Sequence, residues 1–241
     1  MLNPTSCERM TIAATIAGNE GTQGTTVTVS SPFQAADCQS LAFKPKFSAA
    51  TSGKTSKENG ASLSVKLTYP PNSLGTQANI KSVKVELPKS LPSRLTTLQK
   101  ACTAKQFESN PAGCPSESVI GHAKAVTPLI PVPLEGPAYF VSNGNESFPN
   151  LIMVLQGYGV TIDLVGDTFI NNKTGITSST FKAVPDQPVG SFELTLPQGK
   201  YSALAANGNL CQQKLVMPTA FVAQNGATLN QETHIEVEGF R

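Results

Sequence analysis

From residue 61 to residue 69 the chain alternates without a break. Leu63, Val65, Leu67 and Tyr69 fall on one side of an extended backbone, and Ser62, Ser64, Lys66 and Thr68 on the other. A period of two marks a strand with one buried and one solvated face, because successive side chains of a strand point in opposite directions. The pattern returns at 80–87, with Val83, Val85 and Leu87 inward, and prolines 70 and 88 close the two runs. A chain built from such pieces folds by pairing strands. Further short runs fit the same reading at 8–17, 25–31, 41–49 (interrupted by Pro45), 119–126, 138–141, 151–156, 160–165, 176–184 and 191–196, with a closing hairpin after residue 211. The turn Gly157-Tyr158-Gly159 joins two of them. One stretch, 95–107, reads as one or two helical turns, with Thr103 placed to cap the second and Gln106 three residues on.

About a dozen short strands cut by Gly and Pro turns define an all-β chain, and their spacing predicts an antiparallel β-sandwich, immunoglobulin-like or jelly-roll-like. One elaborated sandwich and two packed sub-sandwiches both fit, with a sub-boundary in the Pro-rich segment 127–137. Residues 1–38 read as a β-hairpin belonging to a preceding repeat, and residues 39–241 as the main module.

That division rests on an echo between the two ends. Cys7-Glu8-Arg9-Met10-Thr11-Ile12 opens an apolar run, followed by a Gly-rich turn at 18–24 and a return strand, and ends at Phe33. Cys211-Gln212-Gln213-Lys214-Leu215-Val216 opens a second such run, turning at Asn225-Gly226 and ending at Phe240. The offset is 204 residues, and applied to Cys38 it falls at 242, one past the last residue. A tandem array cut within a repeat is the expectation, with the partner of Cys211 outside the segment. A weaker echo links Ser82-Val83-Lys84-Val85-Glu86-Leu87-Pro88 to Ser191-Phe192-Glu193-Leu194-Thr195-Leu196-Pro197, each with a cysteine 14 residues beyond its proline.

The five cysteines sharpen the picture. Cys7 and Cys38 bracket the first hairpin, and Cys102 and Cys114 enclose the turn Asn110-Pro111-Ala112-Gly113. No C-x-x-C pair supports zinc, so two disulfides are expected, with Cys211 a free thiol. Buried reduced thiols are the alternative. Disulfides imply an oxidising, extracellular or cell-surface setting. Met1-Leu2-Asn3-Pro4 has neither the basic region nor the apolar core of a signal peptide, which does not argue for a cytoplasmic home. No apolar run approaches the ~18–20 residues of a membrane-spanning helix.

Three segments carry a resemblance: Phe33-Gln34-Ala35-Ala36-Asp37-Cys38 with Leu41-Ala42-Phe43-Lys44-Pro45, Asn110-Pro111-Ala112-Gly113-Cys114-Pro115, and Gln224-Asn225-Gly226-Ala227. They resemble stretches of large secreted, β-rich repeat proteins of actinobacteria, a likeness that extends over most of the chain. It implies an exported, repetitive β protein and supplies neither an activity nor catalytic residues. Members of that group end the module with Gly-Cys where this chain has Gly239-Phe240.

Charged residues make up 14% of the chain and the formal net charge is +2, too little clustered charge for a nucleic-acid footprint. Trp is absent and Tyr occurs four times, so aromatic platforms for sugars or bases are not expected. A hydrolytic triad would have to use His122 or His234 with Asp163, Asp167 or Asp186, and no G-x-S-x-G elbow is present. Asp163 and Asp167 could join Asn171 and Asn172 around calcium, although no D-x-D-x-D run supports it; ordinary turn chemistry is the simpler reading. An isopeptide bond between Lys44, Lys46 or Lys66 and Asn209 or Asn230, beside Asp163 or Glu193, is conceivable, with snorkelling lysines the alternative. Asn145-Glu146-Ser147 and Asn172-Lys173-Thr174 are glycosylation sequons by pattern. No phosphate-binding Gly motif and no cofactor signature occurs. The least alternating apolar stretch, 128–141 followed by 148–155, reads as a core strand pair with a bulging loop, or as the frame of a groove or inter-module contact. The expected function is therefore a structural or adhesive extracellular module that packs against neighbouring repeats, self-assembles or binds an extracellular glycan or protein. A carbohydrate- or lipid-binding module using the Pro-rich region is the second expectation and a hydrolase the third.

Overall fold

In a computed structural model, residues 3–18, 26–71, 74–144 and 148–239 are described. Fourteen strands occur among them: β1 (Met10–Ala17), β2 (Thr26–Phe33), β3 (Lys46–Ser52), β4 (Leu63–Thr68), β5 (Ile80–Glu86), β6 (Cys102–Thr103), β7 (Val119–Val126), β8 (Leu134–Ser142), β9 (Asn150–Gly157), β10 (Val160–Ile170), β11 (Thr177–Phe181), β12 (Ser191–Leu196), β13 (Val216–Ala223) and β14 (Thr228–Glu238). Two short helices, α1 (Leu95–Leu98) and α2 (Ala104–Ser109), lie between β5 and β7. The all-β reading holds.

The sandwich does not describe the strand pairing. Eleven strands follow one another as β8-β7-β12-β4-β3-β14-β13-β5-β11-β10-β9, and β9 pairs back onto β8. The sheet thus closes on itself into an eleven-stranded barrel rather than splitting into two stacked sheets. Its pairs are antiparallel except β14 with β3, from Ile235↔Ala49 to Glu238↔Ser52; two-residue β6 adds parallel to the end of β8. Alternation sets the inside: Leu63, Val65 and Leu67 of β4 and Val83 and Val85 of β5 point inward, as the period of two requires, together with Phe192, Leu194 and Leu196 of β12. The outer wall is charged, with Lys66–Glu193 at 2.6 Å and Lys124–Glu135 at 3.7 Å across neighbouring strands. Both pairs lie on the outer face of the wall, where their side chains are about half exposed.

Local chemistry fixes the joints. Tyr158 and Gly159 both have positive φ (53° and 75°), the two-residue turn whose twist matches a right-twisted hairpin. Residues 127–133 link β7 and β8, which pair with each other, and one core cluster contains both Ala125 and Leu134. β8 begins earlier than its prolines led us to expect. Gly136 and Pro137 fall in a gap of its pairing with β9, and a Cβ on Gly136 would stand 2.0 Å from the Val154 carbonyl oxygen. The non-alternating run of β9 is buried on both faces: Leu151, Met153 and Leu155 point into the barrel, while Ile152 and Val154 join Tyr139, Val141, Phe107 and Cys102 under the helical segment. Thr103 caps α2 by accepting from the Gln106 amide at 3.4 Å.

One end of the barrel is stoppered. The segments after β5 and after β12, which carry the weaker internal echo, both fold under the barrel, where Leu91, Leu98, Leu204 and Leu210 are at most 5% exposed. The other end is open between loops. β1 and β2 pair only with each other and are exposed along nearly their whole length; they add no strand to the barrel. Only its base is fixed. Cys7 and Cys38 sulfurs lie 2.05 Å apart, and Asn225 donates to the Cys38 carbonyl at 2.9 Å. The Gly-rich turn that joins the two strands lies outside the described residues except for Gly18.

Candidate functional site

Closing about eight strands leaves a barrel interior that side chains can just fill; eleven leave more room. Here that room is a cavity of ≈ 400 Å³ reaching from the inward faces of β4, β5, β9, β10 and β12 to the open end. Its walls are Leu63, Val65, Leu67, Val83, Val85, Leu151, Met153, Leu155, Ile162, Leu164, Phe181, Phe192 and Phe221. Leu129 and Ile130 from the 127–133 loop and Val184, Pro185, Pro188 and Val189 from the 182–190 loop frame its mouth. Gly166 faces the Phe181 ring, whose atoms would lie 2.6 Å from a Cβ there, so the missing side chain makes space for the ring.

No Lys, Arg, His, Asp or Glu of the described residues lines this space. Its polar side chains are Tyr69, Thr127, Ser179 and Gln187. The Tyr69 hydroxyl already donates to the Ala78 carbonyl at 2.9 Å, and burial pushes its phenol well above the usual range, so it stays neutral. Opposite Ser179 across the sheet, Thr168 Oγ1 is buried without a hydrogen-bond partner. Such a surface offers contact to hydrocarbon, hydroxyls at a few points, and nothing that would neutralise a buried charge.

The residues singled out from the sequence lie elsewhere. Cys102 and Cys114 are at disulfide distance (1.94 Å), the second of the two pairs read from spacing, and Cys211 is free and exposed. Its Sγ lies 4.0 Å from the Gly53 carbonyl, and Gly53 in turn donates its amide to Glu238 at the end of β14, so the thiol sits beside the point where the last strand leaves the barrel. Asp163 and Asp167 both point outward on β10, about 13 Å apart at roughly 3.3 Å per residue, too far to share one ion. Asp167 is paired with Lys182 at 2.6 Å, burial raises the Asp163 carboxyl, and Asn171 spends its Oδ1 on the amides of Lys173 and Thr174 in an ordinary turn. The structure therefore does not assemble the calcium set. Among the described residues no group of three or more His, Cys, Asp or Glu is placed to hold a metal.

His122 and His234 are exposed on β7 and β14, four positions apart in the strand order, and Asp186 is engaged by residues 5, 6 and 79 rather than by either histidine. The described residues do not gather an isopeptide set about a buried acid: Lys66 pairs with Glu193 at the exposed surface, Asn209 accepts from the Cys211 amide, and Lys44, Lys46 and Asn230 are exposed. Asn172-Lys173-Thr174 is exposed, and Asn145-Glu146-Ser147 lies outside the described residues, as does Phe240. What sequence reasoning missed is the cavity itself. It had correctly aimed the inward residues of β4 and β5 but assigned them to a filled core.

No family model matches the chain, and no curated protein matches it. A solved structure, BspA_C_WT, shares 13% identity across 95% of this chain with a TM-score of 0.31, a level that does not define a common fold. This chain spans 60% of that structure's length.

Proposed function

We propose that the chain binds an uncharged, largely apolar molecule, of the acyl or isoprenoid kind, inside its barrel. The observation that carries this reading is the ≈ 400 Å³ cavity walled by aliphatic and aromatic side chains, with no charged group among the described residues that line it. Its size falls within the ~300–1,000 Å³ typical of small-molecule sites. Each buried methylene contributes about 0.8 kcal/mol, so a chain of about ten gains about 8 kcal/mol before the costs of association. That gain holds a ligand without any ion pair. Among the described residues no cation lines the interior, which disfavours a ligand whose carboxylate must be buried.

The test is titration of the purified, delipidated chain with the uncharged probe N-phenylnaphthylamine. Saturable fluorescence enhancement is expected, and Leu164→Trp, which fills the cavity, should weaken it by about ten-fold or more. Equal binding by the filled variant, with its strand content unchanged by circular dichroism, overturns the reading.

The exposed hairpin β1–β2 favours a second reading. A lone two-stranded sheet is marginal in water, and this one repeats the order of β13–β14, which sits within the barrel wall. An extracellular tandem array in which neighbouring copies pack on one another, with its disulfides kept in an oxidising compartment, accounts for both features. The two readings are compatible.

A further inference from the structure

Three stretches line one side of the open end: residues 127–133, 157–160 and 187–190. Their sequences are Thr127-Pro128-Leu129-Ile130-Pro131-Val132-Pro133, Gly157-Tyr158-Gly159-Val160 and Gln187-Pro188-Val189-Gly190, without one charged side chain. They are neighbours in space. Gly157 backs so closely onto the Pro133 carbonyl oxygen that a Cβ there would stand 2.5 Å from it, and the Gly190 amide donates to Val126 at 2.8 Å. The tips nevertheless face water: Leu129 is 45% exposed, Val132 41%, Tyr158 69% and Val160 39%. Leu129 and Val160 also line the cavity, so the interior surface continues over the rim without a polar break.

A rim of this kind is costly beside water and contrasts with the ion-paired outer wall. Contiguous exposed apolar surface marks a contact site. Lacking charge, it matches neither an anionic nor a cationic partner. Being continuous with an apolar cavity, it suits a surface that itself holds apolar chains. We infer that the rim seats in the uncharged acyl zone of a lipid surface, so that a ligand passes between that surface and the barrel without crossing water. The inference rests on the ligand reading above and adds its source. Because Leu129, Val132, Tyr158 and Val160 carry the contact, binding needs no anionic lipid and is insensitive to salt.

Flotation of the full chain with phosphatidylcholine vesicles tests this. The chain should float with the vesicles equally at about 0.05 and about 0.5 M salt. Val132→Asp combined with Tyr158→Asp, neither of which lines the cavity, should reduce vesicle-bound protein by about ten-fold or more, while binding of N-phenylnaphthylamine in solution persists. Leu164→Trp should lose the probe and still float, so a failed cavity and a failed rim give different results. As the chain lacks Trp, Leu129→Trp supplies a sole reporter whose emission should shift to the blue with vesicles. A wild-type chain that stays at the bottom of the gradient, a rim variant that floats as well as wild type, or an unshifted emission from the Leu129→Trp variant overturns the inference. So does binding only to anionic vesicles. Loss of self-association in the rim variant, without vesicle binding by wild type, would assign the rim to a second copy of the chain instead.

Discussion

The carboxylate of Asp186 accepts from the amides of Thr5 and Ser6 at 2.8 and 3.0 Å, from the Thr5 hydroxyl at 2.7 Å and from the Asn79 side chain at 2.7 Å. Asn79 closes the ring by donating its own amide to Thr5 Oγ1. One half-buried acid thus ties the N-terminal segment to the start of β5 at the open end of the barrel. Hydrogen bonds to a charged acceptor are each worth more than neutral ones, and their loss leaves donors stranded. Asp186→Ala should destabilise the chain by about 2–4 kcal/mol, with Asp186→Asn intermediate, read as the shift in urea midpoint at constant slope. An unchanged midpoint would mean that water replaces the carboxylate without cost. From the sequence Asp186 was visible only as a candidate acid for a triad. Its actual partners lie 181 and 107 residues away along the chain, and no local pattern announces a contact of that separation.

At the scale of elements, local signals were the legible ones. Thr103 with Gln106 announced α2, Gly157-Tyr158-Gly159 announced the β9–β10 turn, and the polar turn between Cys102 and Cys114 announced their approach. The role of that covalent loop was not legible. It closes the lid over the outer faces of β8 and β9, where Phe107 stacks edge-on against Tyr139 at 5.5 Å between centroids. This is why β9 could not alternate, and why its sequence resembled any fully buried strand. Replacing Cys102 and Cys114 together by serine frees a short loop in the unfolded chain and should cost about 2–3 kcal/mol. The same variant should expose Tyr139, giving faster hydrogen exchange in β8 than in β4. Uniform exchange across both strands would show that the helical lid holds without its clip.

For the whole molecule, the alternation that identified the inward face of each strand is the same for a sandwich and for a barrel. What separates them is whether β9 finds β8, a pairing settled by sheet twist and by the space Gly136 leaves, not by the period of either strand. Hence the strands were readable and the void between them was not. A closed wall lacks a seam along which half could melt alone. Calorimetry of the intact chain should show one transition with equal calorimetric and van 't Hoff enthalpies. Two resolved transitions would restore the two-body division that the Pro-rich segment suggested. The parallel rungs between β3 and β14 have one more consequence. The chain enters the barrel at its open end through β3 and leaves at the stoppered end through β14, so the two strands lie side by side with their outer connections at opposite poles. Tension applied between those connections loads the ladder from Ile235↔Ala49 to Glu238↔Ser52 in shear, with its rungs sharing the force instead of opening one after another. The Cys7–Cys38 bridge lets that force bypass the hairpin. Mechanically, a barrel joined by this ladder resists pulling along its own axis.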